Sequence, residues 1–341
     1  MGDTETTQVD DHLIAPGRVL IAGVSGVVGF AAAKAFLNAG WDVKGLSRRA
    51  PARLGVSHLA VDLADRELTR GALRECTGVT RVVFAALYEK PGLFQGWYET
   101  DQMERNLSML VNLYEALPDI DCIQHISLLQ GTKAYGAHIS PMRVPGRERE
   151  PRHTHDNFYW LQEDYLASRQ SEAGWTSTIL RPQVVFGEAQ GGNMNAIPAI
   201  GVYAALLAAD GEPLHYPGGR AQLLEAVDAD LVGRMLVWAA TDKRAANQTF
   251  NVTNGDVFTM RNVWPVIADS FGMEVGDDVA MSMAADIPPR ALDWARVVEA
   301  HDLSSPTSLN DFVGQSFFYA DMLTGFGQDS DPPPALVSTV K

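Results

Sequence analysis

From Arg18 onward the chain alternates short apolar runs with longer mixed stretches. Arg18-Val19-Leu20-Ile21-Ala22 runs straight into Gly23-Val24-Ser25-Gly26-Val27-Val28-Gly29, and an alanine-rich stretch over 28–39 ends at Gly40. An apolar run of this length suits a strand covered on both faces, and the stretch between the glycines suits a helix. The same pattern predicts strands over 41–47, 57–61 and 81–86, a long helix over 99–117 stopped by Pro118, and a fifth strand over 122–129. A polar, proline-bearing loop spans about 136–156. A helix over 158–173, a strand over 175–180 and the segment 181–187 come next. Strands spaced by helices predict an α/β fold: a doubly wound parallel sheet of the Rossmann type.

Beyond 188 the alternation breaks down. Gly-Gly-Asn-Met-Asn at 191–195, Gly-Gly at 218–219 and Pro-Pro at 288–289 mark irregular connections. The expected organisation is a loose tail over 1–16, the Rossmann domain over 17–187 and a smaller C-terminal, mainly substrate-binding lobe over 188–341. Segments within about 223–255 are expected to return to the Rossmann domain.

Composition narrows the functional classes. The 341 residues carry a formal charge of −15, a surface that repels phosphate backbones and anionic lipid, so nucleic acid is not an expected partner. No run of eighteen apolar residues predicts a membrane span, and the acidic start lacks the pattern of a secretory signal, which points to a cytoplasmic protein. Cys76 and Cys122 have no metal-binding spacing and the eight histidines are scattered, so no metal is expected. Between residues 91 and 242 the only lysine is Lys133.

The glycine turn is the first chemical signal. Placed between a strand and a helix, Gly23 allows a tight turn, Gly26 lets backbone approach a diphosphate, and Gly29 lets the helix pack close to the strand. Ser25, Val27 and the first amides of the helix complete a cradle for the pyrophosphate of a dinucleotide. The second strand ends in Ser47-Arg48-Arg49 with no carboxylate. Two guanidinium groups and a hydroxyl suit a ribose phosphate, so the expected cofactor is NADPH/NADP+. Asp62 has two readings, a hydrogen bond to the adenine amine or a cap on the next segment. Leu63, Ala85, Ser127, Pro182 and Val184, at or near the ends of the remaining strands, are further expected cofactor contacts.

Short-chain dehydrogenases usually carry Tyr-x-x-x-Lys on the helix after the fifth strand. That pattern is absent throughout, and four residues after Tyr159 stands Glu163. Lys133, just past the fifth strand, lies at the edge of the sheet where ligands bind, so a displaced pair of Tyr159 and Lys133 is physically reasonable. The motifs Gly131-Thr132-Lys133-Ala134-Tyr135, Asn157-Phe158-Tyr159-Trp160, Arg181-Pro182 and Asn251-Val252-Thr253-Asn254-Gly255, with the glycine turn, resemble the progesterone 5β-reductase and iridoid synthase-like family. These are atypical extended short-chain dehydrogenases/reductases. The resemblance implies that Tyr159 and Lys133 are the catalytic residues and that NADPH reduces a C=C bond conjugated to a carbonyl. Hydride would go to the β-carbon while Tyr159 stabilises the enolate oxygen. Lys133 would support Tyr159 electrostatically or contact the nicotinamide ribose.

This chain has Trp160 where that family usually has a second tyrosine, and Gln130 where threonine commonly precedes the loop glycine. The loop between Tyr135 and Asn157 is shorter than in the plant forms. The steroid substrate is therefore not carried over, and small enones or enals are an equal expectation. Tyr135, Met194, Asn195, Phe317 and Phe318 are candidate pocket residues, with Tyr319 and Met322 in the same aromatic run. Tyr135 is read either as pocket wall or as loop packing. Reduction of a ketone or aldehyde C=O on the same scaffold is the alternative activity. A nucleotide sensor and a sugar-nucleotide epimerase are more distant readings. The expected partner is a small carbonyl or enone substrate, with a homodimer through helices 99–117 and 158–173 as a further expectation.

Overall fold

The computed structural model describes residues 15–171 and 173–327. In the first half lie strands β1 (Arg18–Ala22), β2 (Asp42–Ser47), β3 (Ser57–Ala60), β4 (Val79–Phe84), β5 (His125–Leu129) and β6 (Thr176–Pro182). Three short strands follow, β7 (Val184–Phe186), β8 (Leu214–Tyr216) and β9 (Leu224–Asp228), and then β10 (Gln248–Val252). A seven-stranded sheet has the order β10-β6-β5-β4-β1-β2-β3, and all its pairings are parallel. This is the doubly wound Rossmann arrangement, with the crossover between β1 and β4 opening a crevice at their carboxyl ends.

The pleat sorts the core. Leu20 and Ala22 of β1 face a cluster that includes Met109, Leu110 and Leu113. Val19 and Ile21 face the opposite cluster with Ala32, Phe36, Val232 and Leu236. The covering helices are α1 (Val27–Asn38), α2 (Arg66–Leu73), α3 (Thr100–Ala116), α4 (Phe158–Gln170) and α6 (Ala229–Thr241), while α5 (Ala196–Asp210) belongs to the second lobe. Helices α1 and α6 pack on each other on one side, and α3 packs on α2 and α4 on the other.

Three local differences from the expected elements have physical causes. Helix α2 was not anticipated because Arg-Glu-Leu-Thr-Arg-Gly-Ala-Leu is mostly polar and buries only Thr69 and Leu73; Asp65 caps it by accepting from the Leu68 amide at 2.9 Å. The fifth strand starts late, at His125, because Ile120–Cys122 forms a 3-10 turn. The segment 181–187 is divided: the chain leaves the main sheet after Pro182, and β7 pairs with β9 in a separate three-stranded sheet.

That sheet is completed by β11 (Val257–Phe258), and β12 (Val275–Asp278) pairs with β8. With α5 and α7 (Met260–Ser270), α8 (Met283–Asp286), α9 (Ala291–Ala300), α10 (Leu309–Val313) and α11 (Ser316–Thr324), they enclose a second core around Tyr203, Trp264, Trp294 and Phe317. No described helix is long and apolar enough to cross a membrane.

Candidate active site

The carboxyl ends of β1, β2, β4, β5 and β6 open onto one cavity of about 860 Å³ that runs from the glycine turn to α11. At the first end the backbone itself makes the site. Gly23 has φ +85°, and a Cβ there would stand 2.7 Å from the Ala85 carbonyl. A Cβ on Gly29 would meet the Gly23 carbonyl oxygen at 2.1 Å. Both positions therefore admit only glycine. Gly26 differs: its Cβ would meet no protein atom closer than 3.4 Å. Packing does not demand a glycine there, while close approach of a ligand to the backbone does. Gly26, Ser25 and Val27 line the cavity. The opening of α1 has no side-chain cap on its amides, which suits a diphosphate.

Around this turn, Ser47, Arg48, Arg49, Asp62, Leu63 and Ala85 all line the cavity. Ser47 donates to the Arg49 carbonyl at 2.6 Å and meets His58 at 3.0 Å. Arg49 donates across the cleft to the Gly191 carbonyl at 2.9 Å. Arg48 is exposed and has no hydrogen-bond or ion-pair partner among the described residues, which leaves its guanidinium available to an anion. Asp62 accepts from the Ala64 amide at 3.0 Å and pairs with Arg105 at 3.6 Å. The residues present fit a dinucleotide, and a ribose phosphate would meet two arginines.

At the middle of the cavity stand Lys133 and Tyr159. Lys133 belongs to the turn Thr132–Tyr135 and Tyr159 to the first turn of α4. Asn157 fastens the two segments. Its Oδ1 accepts from the Tyr159 amide at 3.0 Å, and its Nδ2 donates to the Lys133 carbonyl at 3.0 Å. The Tyr159 ring is buried, with its hydroxyl beside Gly131, where a Cβ would stand 3.6 Å from Oη. That hydroxyl makes no hydrogen bond to any described residue. Burial first, and the Glu89 charge second, push the phenol well above its ordinary value, which keeps it an O–H donor.

Lys133 does not hydrogen-bond to Tyr159. Its ammonium donates to Glu89 Oε1 at 3.3 Å and lies 4.2 Å from the Trp97 ring centre. Glu89, Trp97 and His138 were not anticipated. The available signal for Glu89 was its position in the loop just after β4, the loop that begins with Ala85. Burial, then the Lys133 charge, push His138 down to about 3.

Position 163, four residues after Tyr159, faces away from the cavity. Glu163 accepts from Gln130 Nε2 at 2.6 Å and from Arg152 at 2.7 Å, and lies 3.5 Å from Arg181. Gln130 also accepts from Arg181 Nε at 2.9 Å. Two guanidinium groups thus neutralise the acid behind α4.

Several expected site residues stand elsewhere. Ser127 is buried inside β5 on the same face as His125, which meets its hydroxyl at 3.2 Å, and it does not reach the cavity. Tyr135 turns away, donating to Asn251 Oδ1 at 2.6 Å and receiving Arg181 at 3.4 Å; of its two readings, loop packing is the one observed. Phe317 points into the lobe core, while Phe318, Tyr319 and Met322 line the cavity. Met194 also lines it. Asn195 does too, but its side chain is committed to capping α5 and to the Gly187 carbonyl at 2.8 Å. Pro182 and Val184 line the cavity at the junction of the two sheets.

Comparison with known proteins places this geometry in context. The NAD dependent epimerase/dehydratase family matches residues 19–253. An (S)-8-oxocitronellyl enol synthase of Antirrhinum majus is 30% identical over 352 aligned residues, covering 95% of this chain and 87% of that protein. A 3-oxo-Delta(4,5)-steroid 5-beta-reductase of Arabidopsis thaliana is 32% identical, covering 75% of this chain and 69% of its own length. Among solved structures, the UDP-glucose 4-epimerase of Bifidobacterium longum in complex with NAD+ and UDP aligns with a TM-score of 0.61 at 15% identity, covering 91% of this chain and 100% of that one. At such identity the last likeness concerns the fold.

Proposed function

The chain belongs to the NAD dependent epimerase/dehydratase family and, within it, to the progesterone 5β-reductase and iridoid synthase-like group of extended short-chain oxidoreductases, and from that premise we propose that it is an NADPH-dependent reductase of α,β-unsaturated carbonyl compounds. The observation that carries this reading is the Tyr159 hydroxyl. It belongs to a buried ring, is unpartnered among the described residues and opens to the same cavity as the glycine turn. Such a group suits a substrate oxygen that gains negative charge during reaction.

When bound, the nicotinamide supplies a hydride. The chain's residues do the rest. Gly23, Ser25, Gly26 and Val27 would hold the diphosphate, and Arg48 and Arg49 the ribose phosphate. The absence of an acid after β2 favours NADPH over NADH. Tyr159 donates a hydrogen bond to the carbonyl oxygen and stabilises the enolate that forms when the β-carbon is reduced. The raised phenol stays protonated through the neutral range, as a donor must. Phe318, Met322 and Met194 give the substrate end apolar walls, which exclude water from the developing charge.

The test is product analysis. Purified protein, NADPH and a simple conjugated enone should yield the saturated ketone. An allylic alcohol would assign the chain to C=O reduction instead, and no NADPH oxidation across enones, enals, ketones and aldehydes would end the enzymatic reading.

A further inference from the structure

Glu89 lies outside every motif that pointed to this site, yet its carboxylate sits directly behind two cavity-lining residues, Lys133 and Trp97, with no exposed side-chain surface. Oε1 accepts from the Lys133 ammonium at 3.3 Å. Oε2 accepts from Gln102 Nε2 of α3 at 2.6 Å and from Trp97 Nε1 at 3.0 Å. All its partners are donors, the complement of a carboxylate. Trp97 binds both members of the pair, with its N–H on Glu89 and its ring face under Lys133 at 4.2 Å. A second ring, Phe158, lies 5.6 Å from the same ammonium. We infer that Glu89 is a positioning residue for this site: it holds Lys133 on the Trp97 side of the cleft, so that beside Tyr159 the two act as a neutral pair and not as a free cation. The inference rests on the reading of Tyr159 as the hydrogen-bond donor.

The charge balance is what matters. A lone ammonium beside a phenol favours phenolate, the form that accepts a proton from an alcohol. A reductase that stabilises an enolate needs the phenol intact. A buried lysine without a counter-charge would also turn toward any available oxygen, and Tyr159 Oη is unpartnered. Glu89 answers both demands. Its charge adds to burial in holding Tyr159 protonated, against the opposing influence of Arg181.

Other charged and titratable groups surround this pair. His138, pushed down to about 3, is neutral across the working range. Glu163 is committed to Arg152 and Arg181. Arg105 of α3 pairs with Asp62 and covers the Tyr88 ring. Across the cavity, Asp321 accepts from Ser282 and from the amides of Met283 and Ala284, and burial raises the Tyr319 phenol. Glu89, paired with Lys133, and Arg181 are therefore the charges that bear on the Tyr159 phenol.

The experiment is the pH dependence of kcat for enone reduction by full-length Glu89→Gln, with NADPH KM measured alongside. An ultraviolet difference titration against Tyr159→Phe in the same background reports the phenol directly. Wild type should hold its turnover to the highest pH at which it stays folded. Glu89→Gln should lose turnover from at least about one pH unit lower, with phenolate appearing over the same range. Its NADPH KM should stay within about twofold, because the dinucleotide cradle is untouched. Glu89→Asp, which keeps the charge, should restore the wild-type profile. If Glu89→Gln does not fold, the double variant Glu89→Gln, Lys133→Met removes both charges and should keep the wild-type phenol titration. An unshifted profile in folded Glu89→Gln, or a double variant whose phenol moves by more than about one unit, overturns the inference. Tyr159→Phe turning over normally removes Tyr159 as the donor on which the inference rests, and absence of NADPH oxidation by wild type ends the proposed function, so the failures are distinct.

Discussion

The two ends of the cleft are built on different principles. The cofactor end is made of backbone. Gly23, Gly26 and Gly29 shape it within seven residues of chain: the missing Cβ atoms of Gly23 and Gly29 let the turn close, and that of Gly26 leaves its backbone open to a ligand. The end proposed as catalytic is made of side chains from separated segments: Glu89 after β4, Trp97 in the turn Gln95–Tyr98, Gln102 on α3, Lys133 after β5 and Tyr159 on α4. A backbone site tolerates almost no substitution but needs no partners. A side-chain site can be altered one group at a time, and its electrostatics depend on groups that are silent in the local sequence.

The first contrast lies within the turn, and its expected effect is the largest. Gly29→Ala puts a methyl at 2.1 Å from the Gly23 carbonyl oxygen. Relief requires the start of α1 to move off β1, at a cost of about 3 kcal/mol. Thermal unfolding should shift down and NADPH binding should vanish together. Gly26→Ala should leave the unfolding midpoint within a degree or two of wild type, because its methyl meets nothing closer than 3.4 Å, yet NADPH affinity should fall at least about tenfold. Equal loss of stability in both variants would mean that the turn is glycine-rich for packing alone.

Tyr159→Phe tests the other end. Removing one oxyanion donor should lower kcat by about 100-fold, or about 2.7 kcal/mol of transition-state stabilisation. NADPH binding and the unfolding midpoint should barely change, since the hydroxyl makes no protein hydrogen bond among the described residues. Stopped-flow turnover and cofactor titration on the same preparation separate the two. Unchanged turnover would move the oxyanion donor elsewhere.

This contrast also explains what the sequence made legible. β1 was expected and found at Arg18–Ala22, and the long helix expected over 99–117 spans Thr100–Ala116. Such elements are encoded by neighbouring residues, through apolar runs and a proline stop. The family was readable for the same reason, because its motifs are short. Tyr135 and Ser127 show the limit. Each sits in or beside a motif, but its direction is set by Asn251 and Arg181 in one case and by the strand pleat with His125 in the other. Glu89 shows the reverse. Only its place in the loop after β4 marks it, and its role follows from Lys133, 44 residues away. Asn157 lies between these cases: its motif was visible, but that it fastens the Lys133 turn to the Tyr159 amide needed both distances.

The smallest expected effect sharpens the comparison most, because it asks whether the backbone end also carries side-chain selectivity. Two arginines follow β2, but they are not equivalent. Arg49 is tethered to the Gly191 carbonyl and so also helps to hold the loop before α5; its loss would mix loop disorder with lost charge. Arg48 has no protein partner among the described residues, and its loss removes only what it gives to a ligand. Arg48→Ala should therefore raise the NADPH KM by about tenfold, in line with one charge-assisted contact of about 1.4 kcal/mol. The NADH KM should stay unchanged, as should kcat with either cofactor at saturation. Steady-state kinetics with both cofactors read this directly. A loss shared equally by NADPH and NADH would mean that Arg48 serves the diphosphate or the general field of the cleft. Selectivity for the ribose phosphate would then rest on Arg49 and the Gly191 loop it holds.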